Sequence, residues 1–447
     1  MLLRTLESRR RVLLCAFGAL CVLPTLLTAG WSLIRNWPGQ VQQESDRLAQ
    51  RLGVLVELSA LRHPRPGVLV YEGLKLADPE TGRTLLRCRT LEVQWRKVAA
   101  ADGQLRPVAI VIAAEPQIDG RAVERLWSIV SRALVSDPAA GNTDVRIWAS
   151  TARLQCGTQV YQLNDVHCGT ESIAAGSVAA ASFRLAGNDN SHLVRMRWLR
   201  DRREEAIAEQ FELDTGGASI PCSLFAAAVP ELRRLGTNST FQGRFWLRWP
   251  AQRSAPQRCH GELVGQLAGV DLSALTAGLG SYKLAGTADV WIQYARIADG
   301  RLEESSCVLQ GGPGIISRRL IEAAVERLGL SRGTAEAALT ELLRYDQLAF
   351  AVHLSAAGVH LQGRCVLPEP GALLAVDRRC LLGEPLVQPQ PIARVIQLLA
   401  LSAAEQVPGT SVSGWLMCRL PLEPPSQAIS EQANAPARSP TGNQSLR

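Results

Sequence analysis

Lysine and histidine are scarce: the 447 residues hold three lysines and six histidines. So few lysines leave out most P-loop arrangements, and no HExxH, GxSxG or GxGxxG pattern is present. A basic run is also missing beyond the extreme N-terminus, where the first 11 residues carry +3 of the formal charge of +7. A nucleic-acid binder concentrates positive charge on one face or helix, so no nucleic-acid partner is expected. The 11 cysteines include no CxxC pair, which leaves zinc-ribbon and thioredoxin-like readings without their spacing. Cys15 and Cys21 fall in an apolar run and pack there as small apolar residues. Cys156 and Cys168 flank a short alternating stretch. Two readings stand for them, a disulfide stapling a hairpin and two independent buried thiols.

What is present begins with a membrane signal. Residues 12–34 read VLLCAFGALCVLPTLLTAGWSLI, an uncharged run long enough as a helix to cross a bilayer core of about 30 Å. Arg9, Arg10 and Arg11 precede it closely and only Arg35 follows. The positive-inside bias therefore places the N-terminus in the cytoplasm and the body across the membrane, with Trp31 near the far interface. The rival reading is a cleaved signal peptide ending near Leu27-Thr28-Ala29, which exports the body equally.

The body reads mostly as strands with flanking helices, an α+β class. A polar, weakly amphipathic helix is expected over 41–53. Short Val- and Leu-rich runs at 53–58 and 67–76, separated by Pro64-Arg65-Pro66-Gly67, predict a hairpin. Leu91, Val93 and Trp95 alternate with Glu92, Gln94 and Arg96, as in a strand with one wet face. Leu348, Phe350, Val352 and Leu354 share a face, Gly358 marks a turn, and Val359 and Leu361 resume the pattern. Helical periods appear at Val123, Leu126, Trp127 and Val130, at 320–328, over a shorter stretch at 335–343, and at 392–404. The division expected is a cytoplasmic tail 1–11, a transmembrane helix 12–34, a linker helix 35–53, two halves of a β-rich body at 54–250 and 251–423, and a disordered tail 424–447.

Several segments together resemble the AsmA-like family of bacterial envelope proteins, which is related to TamB. They are the membrane helix, the short helix, a strand entering a Pro-Gly turn, and the segment Leu74-Lys75-Leu76-Ala77-Asp78-Pro79-Glu80-Thr81-Gly82. EPQIDG at 115–120 looks like the family's turn into a helix. Residues 268–272 with 284–288, extended by 311–324, are similar to its short helix and strand-starting glycine. The resemblance implies an elongated, twisted, antiparallel-type sheet forming a groove, and lipid transport between membranes or outer-membrane biogenesis, with no cofactor and no catalysis. A dozen or so strands give a groove of about 60 Å.

Enzyme readings are weak beside this. His167-Cys168 and Cys259-His260 are adjacent on strands, so their side chains point to opposite faces. His353 and His360 approach across the predicted hairpin, which would give two metal ligands without an evident third, and ordinary solvent-facing strand histidines are the better reading. The Arg200–Glu205 run, RDRREE, reads as a solvated turn. Two functions remain: lipid handling, with Leu348, Phe350, Val352, Leu354, Val359 and Leu361 lining the groove and membrane lipids as cargo, or a membrane-anchored scaffold that binds other envelope proteins. The first requires an uncovered apolar face and the second a closed core.

Overall fold

A computed structural model describes residues 16–35, 38–99, 105–122, 125, 126, 129, 144–173, 176–187, 192–203, 207–226, 229–251, 259–277, 282–334, 340–366, 370–399 and 420. The chain forms two compact units, one from residues 1–275 and 287–291, the other from 276–286 and 292–447. Strand residues far outnumber helical ones in both, and the large sheet is mixed rather than purely antiparallel, through two parallel pairings in the first unit.

The apolar N-terminal run is helical where it is described, with π-helical Gly18–Val22 leading into an α-helix at Leu23–Arg35. Residues 1–15, with Arg9, Arg10 and Arg11, lie outside the described residues. Among the described residues no helix is long and apolar enough to cross a membrane. Phe17, Leu20, Leu23, Leu26 and Leu27 are each more than half exposed. The next helix, Pro38–Leu52, covers the segment read as a linker helix.

In the first unit, β1 (Leu55–Glu57) and β2 (Ala60–Arg65) share one side of β3 (Val68–Ala77). A tight turn follows, in which Asp78 N bonds Arg83 O and the Thr81 hydroxyl donates to Asp78, so the Asp-Pro-x-x-Gly segment is the β3–β4 reversal. The ladder continues through β4 (Thr84–Ala99) to β5 (Leu105–Ala114) and β6 (Gln117–Asp119), both of which run parallel to β7 (Asp144–Cys156). From there it is antiparallel through β8 (Gln159–Ile173), β9 (Gly176–Leu185), β10 (Val194–Asp201) and β11 (Ala208–Asp214). β11 and β12 (Ile220–Pro221) share one side of β13 (Thr240–Pro250), and β14 (His260–Asp271) takes the other.

The second unit holds a small sheet of β15 (Leu284–Ala285), β18 (Gly314–Ser317) and β20 (Leu342–Tyr345). β16 (Thr287–Ala298), which starts in the first unit, reverses at Asp299-Gly300, both with positive φ, into β17 (Arg301–Gly311). β17 pairs with β21 (Gln347–Ser355), and β21 pairs along its length with β22 (Gly358–Gly363) and β23 (Ala372–Val376). β24 (Arg379–Pro385) joins β23 to β19 (Leu330–Arg332). Helices Arg318–Leu328 and Ile392–Leu399 bury Ile321, Ala324, Leu328, Ile392 and Ile396, matching the 3.6 periods at those places.

One expectation is corrected, and of the two readings of Cys156 and Cys168 the independent thiols hold. The short helix at 335–343 is not formed in its described part: Leu342 and Leu343 belong to β20, whose exposed–buried alternation ends on buried Tyr345 and so has period two. Residues 335–339 lie outside the described residues, as do most of the helical positions near Val123–Val130 and the tail from 424. Cys156 and Cys168 are both free thiols. Cys156 pairs with Gln159 beside the β7–β8 turn, whereas Cys168 pairs with Ile147 nine positions further along β8. That separation, about 30 Å along a strand, far exceeds the reach of a disulfide.

Candidate functional site

The ladders of the first unit bring one residue from each of ten strands into a single cross-strand row. It runs Leu69, Val93, Val111, Ile147, Cys168, Ala181, Met196, Leu213, Phe245, Leu263. Every member is apolar or a thiol. Two positions along, the row Trp95, Ala109, Val145, Thr170, Ala179, Trp198, Phe211, Leu247 lies on the same face, with only Thr170 polar. The row between them points the other way and reads Gln94, Ile110, Arg146, Gly169, Ala180, Arg197, Glu212, Trp246. The sheet is therefore two-faced, with one face apolar across its width.

A bulge keeps the apolar face continuous. The β8–β9 register shifts between Asn164 and His167, around Asp165 at φ 51°, so Leu163 and Cys168 face the same side although five residues apart.

Two elements cover the ends of this face. Leu48 of the helix Pro38–Leu52 packs against Leu69, Tyr71 and Val93, and the Tyr71 hydroxyl donates to Glu44 Oε1 at 3.1 Å. At the opposite end, the 3-10 turns Cys222–Leu224 and Pro230–Leu235 lay Cys222, Leu224, Leu232 and Leu235 on the cluster of Phe183, Val194, Leu213 and Phe241. Between these covers Ile147 is 37 % exposed and, on the neighbouring row, Trp95 is 51 % exposed.

The apolar face ends in a polar rim. Trp198 meets Trp249 edge to face with ring centres 5.1 Å apart, and Trp249 Nε1 donates to Glu209 Oε2 at 3.2 Å. Arg200 Nη1 holds the other oxygen of Glu209 at 3.1 Å. Next to it, hydrogen bonds from the Arg203 side chain draw the Asp201 carboxyl down to about 2. On the face itself, burial pushes the Cys168 thiol up to about 11, so it stays protonated and packs as an apolar group.

The residues expected to line a groove lie in the second unit. Phe350, Val352 and Leu354 do share a face with Leu361 and Val359, because Val352 pairs with Leu361 and Leu354 with Val359. Leu348, Leu354, Val359 and Leu361 are buried, while Phe350 and Val352 are half-buried. Beside them Gln388 bonds both the N–H and the carbonyl of Leu361, and Val359 exchanges backbone bonds with Gln390. This crossing leaves no room for a side chain at position 358, where a Cβ would lie 2.6 Å from Gln390 O. Of the anchor residues, Trp31 and Arg35 stand in the helix Leu23–Arg35.

His167 and Cys168 occupy opposite faces, as adjacent strand residues must, with His167 edge-on to Trp148. The two-faced rows were missed by sequence reasoning, although Val194, Met196 and Trp198 alternating with Arg195 and Arg197 carried the signal. No model of a known protein family matches the chain, and no curated protein matches it significantly.

Proposed function

We propose that the chain is a membrane-anchored, non-catalytic envelope protein of the AsmA-like type that handles lipid along the apolar face of its first unit. One observation carries this reading: a ten-strand apolar row covered at both ends and open at Ile147 between them. A sheet made only to fold has no use for an uncovered apolar width, whereas an acyl chain laid along it gains about 0.8 kcal/mol per buried CH₂. The anchor is the helix that begins in the apolar N-terminal run, whose leucines are exposed along its described part. In this reading it crosses the inner membrane once, leaving the arginines in the cytoplasm and the body in the periplasm. Membrane lipids are then both anchor and cargo. The second reading is a scaffold that docks other envelope proteins through its outer surface and carries no lipid on this face.

Lipid mass spectrometry of the full chain extracted in mild detergent separates the two. Co-purified acyl lipid is expected with the wild type and a loss of most of it with Ile147→Arg, whose partly exposed site tolerates the charge when no chain lies there. No lipid in the wild type, or equal lipid in a folded Ile147→Arg, overturns lipid handling and leaves the scaffold.

A further inference from the structure

The polar face of the first unit carries an open cleft of about 330 Å³. Its position follows from the strand register. Asp214 on β11 pairs with Arg244 on β13, and Gln242 on β13 pairs with Gln266 on β14. All four therefore lie on the face opposite Leu213 and Phe245. Trp291 on β16 lines the same cleft.

One wall is the turn Asp214-Thr215-Gly216-Gly217, which is held on several sides. Asp214 Oδ1 accepts the Gly216 N–H at 2.8 Å, and His192 Nδ1 lies 2.8 Å from Gly216 O. Thr215 is fully buried; its N–H donates to Gly243 O, and its hydroxyl oxygen accepts the Gly243 N–H. Gly216 and Gly217 have φ 57° and 91°, and a Cβ on them would lie 2.4 Å from Leu193 O and 2.8 Å from the His192 ring. These positions accept only glycine, so no side chain fills the cleft from that wall.

The lining narrows the class of ligand. Arg244 Nε holds Asp214 Oδ2 at 3.1 Å, so the cleft carries one charge of each sign and does not select a free anion or cation. The Arg244 side chain is 80 % exposed, which leaves its terminal N–H groups for a further acceptor. Among the described residues the amides of Gln242 and Gln266 and the indole N–H of Trp291 have no hydrogen-bond partner. Each amide supplies a donor and an acceptor. Such groups beside a half-buried indole suit a molecule with a hydroxylated edge and an apolar ring face. A pyranose sugar has that form, with hydroxyl groups around its rim and C–H bonds on its face.

We propose that this cleft binds a neutral pyranose, with Trp291 as the stacking platform and Gln242, Gln266 and Arg244 as partners of its hydroxyl groups. Small-ligand clefts span about 300–1,000 Å³, so this one takes about one or two sugar rings. It lies on the face away from the apolar row, and sugar binding is independent of any lipid held there.

The test is saturation-transfer difference NMR on the full-length protein in an amine-oxide detergent, which has no sugar headgroup of its own. The probes are glucose, N-acetylglucosamine, maltose and cellobiose. Saturation of the ring C–H protons of at least one probe is expected, with millimolar dissociation. Trp291→Ala should abolish the signal and Trp291→Phe should restore much of it. Gln242→Ala and Gln266→Ala should each weaken binding about fivefold. Gln242 is exposed, so its variant folds whatever Trp291→Ala does. Trp148→Ala removes an exposed tryptophan elsewhere on the same face and should change nothing. No transfer to any probe, unchanged transfer in Trp291→Ala and Gln242→Ala, or equal loss in Trp148→Ala overturns the site.

Discussion

Tyr345 and Gly314 make the small sheet of the second unit a quantitative test of how its core is closed. Tyr345 is 1 % exposed, and its hydroxyl donates to Ala285 O at 3.0 Å. A Cβ at Gly314 would fall inside van der Waals contact of both Ala285 O and the Tyr345 hydroxyl, and 2.6 Å from Tyr345 Cζ. Tyr345→Phe leaves the Ala285 carbonyl short of one donor and should cost about 1 kcal/mol. Gly314→Ala meets backbone as well as side chain and should cost about 3 kcal/mol, a drop of about 6–12 °C in melting temperature for a unit of this size. Removing the hydroxyl relieves one of the three close contacts, so the double variant should lose less than the sum of the singles by about 0.5–1 kcal/mol. Burial also raises the Tyr345 pKa above its ordinary 10.0. A raised phenol contributes stability that is present below pH 10 and lost as pH rises through the folded value, so the alkaline loss should be smaller in Tyr345→Phe. Urea unfolding of the four proteins measures every term. Strict additivity, or a Gly314→Ala variant as stable as the wild type, would refute the packing argument.

Asp201 carries an acid-range counterpart. Its depressed carboxyl contributes stability that is present above its ordinary 3.8 and lost as pH falls through about 2, so the urea midpoint of Asp201→Asn should vary less than that of the wild type across this window. Arg203 is largely exposed, which keeps the effect modest. For the cysteines, reductant should change neither the mass nor the gel mobility of the chain through a Cys156–Cys168 link. Iodoacetamide at neutral pH should modify half-buried Cys168 more slowly in the native protein than after urea, because its raised thiol stays protonated, and equal rates would contradict this.

The hairpin at β21–β22 was legible because its face is wet on one side: His353 and His360 alternate with Val352, Leu354, Val359 and Leu361, and Gly358 marks the turn. The next hairpin, β23–β24, was not. Ala372, Leu373, Leu374 and Ala375 are all buried, so the strand is covered on both faces and shows no alternation. Its turn is Asp377-Arg378 with φ 47° and 60°, a conformation that usually announces itself through glycine and here does not. The middle of the chain failed for a different reason. In β8 the bulge at Asp165 changes which parity faces inward, so Leu163 and Cys168 belong to one face while a period-two reading assigns them to two. The apolar row depends on that same bulge. Each strand supplies only one or two of its members, and several, such as Ala181 and Cys168, are unremarkable in sequence. The row becomes a surface only through a register set by ten separate pairings. Local alternation therefore located the apolar residues of single strands such as β21. Which of those faces stays open depends on where Leu48 and the 222–235 segment come to rest, and these are contacts between positions far apart in the chain.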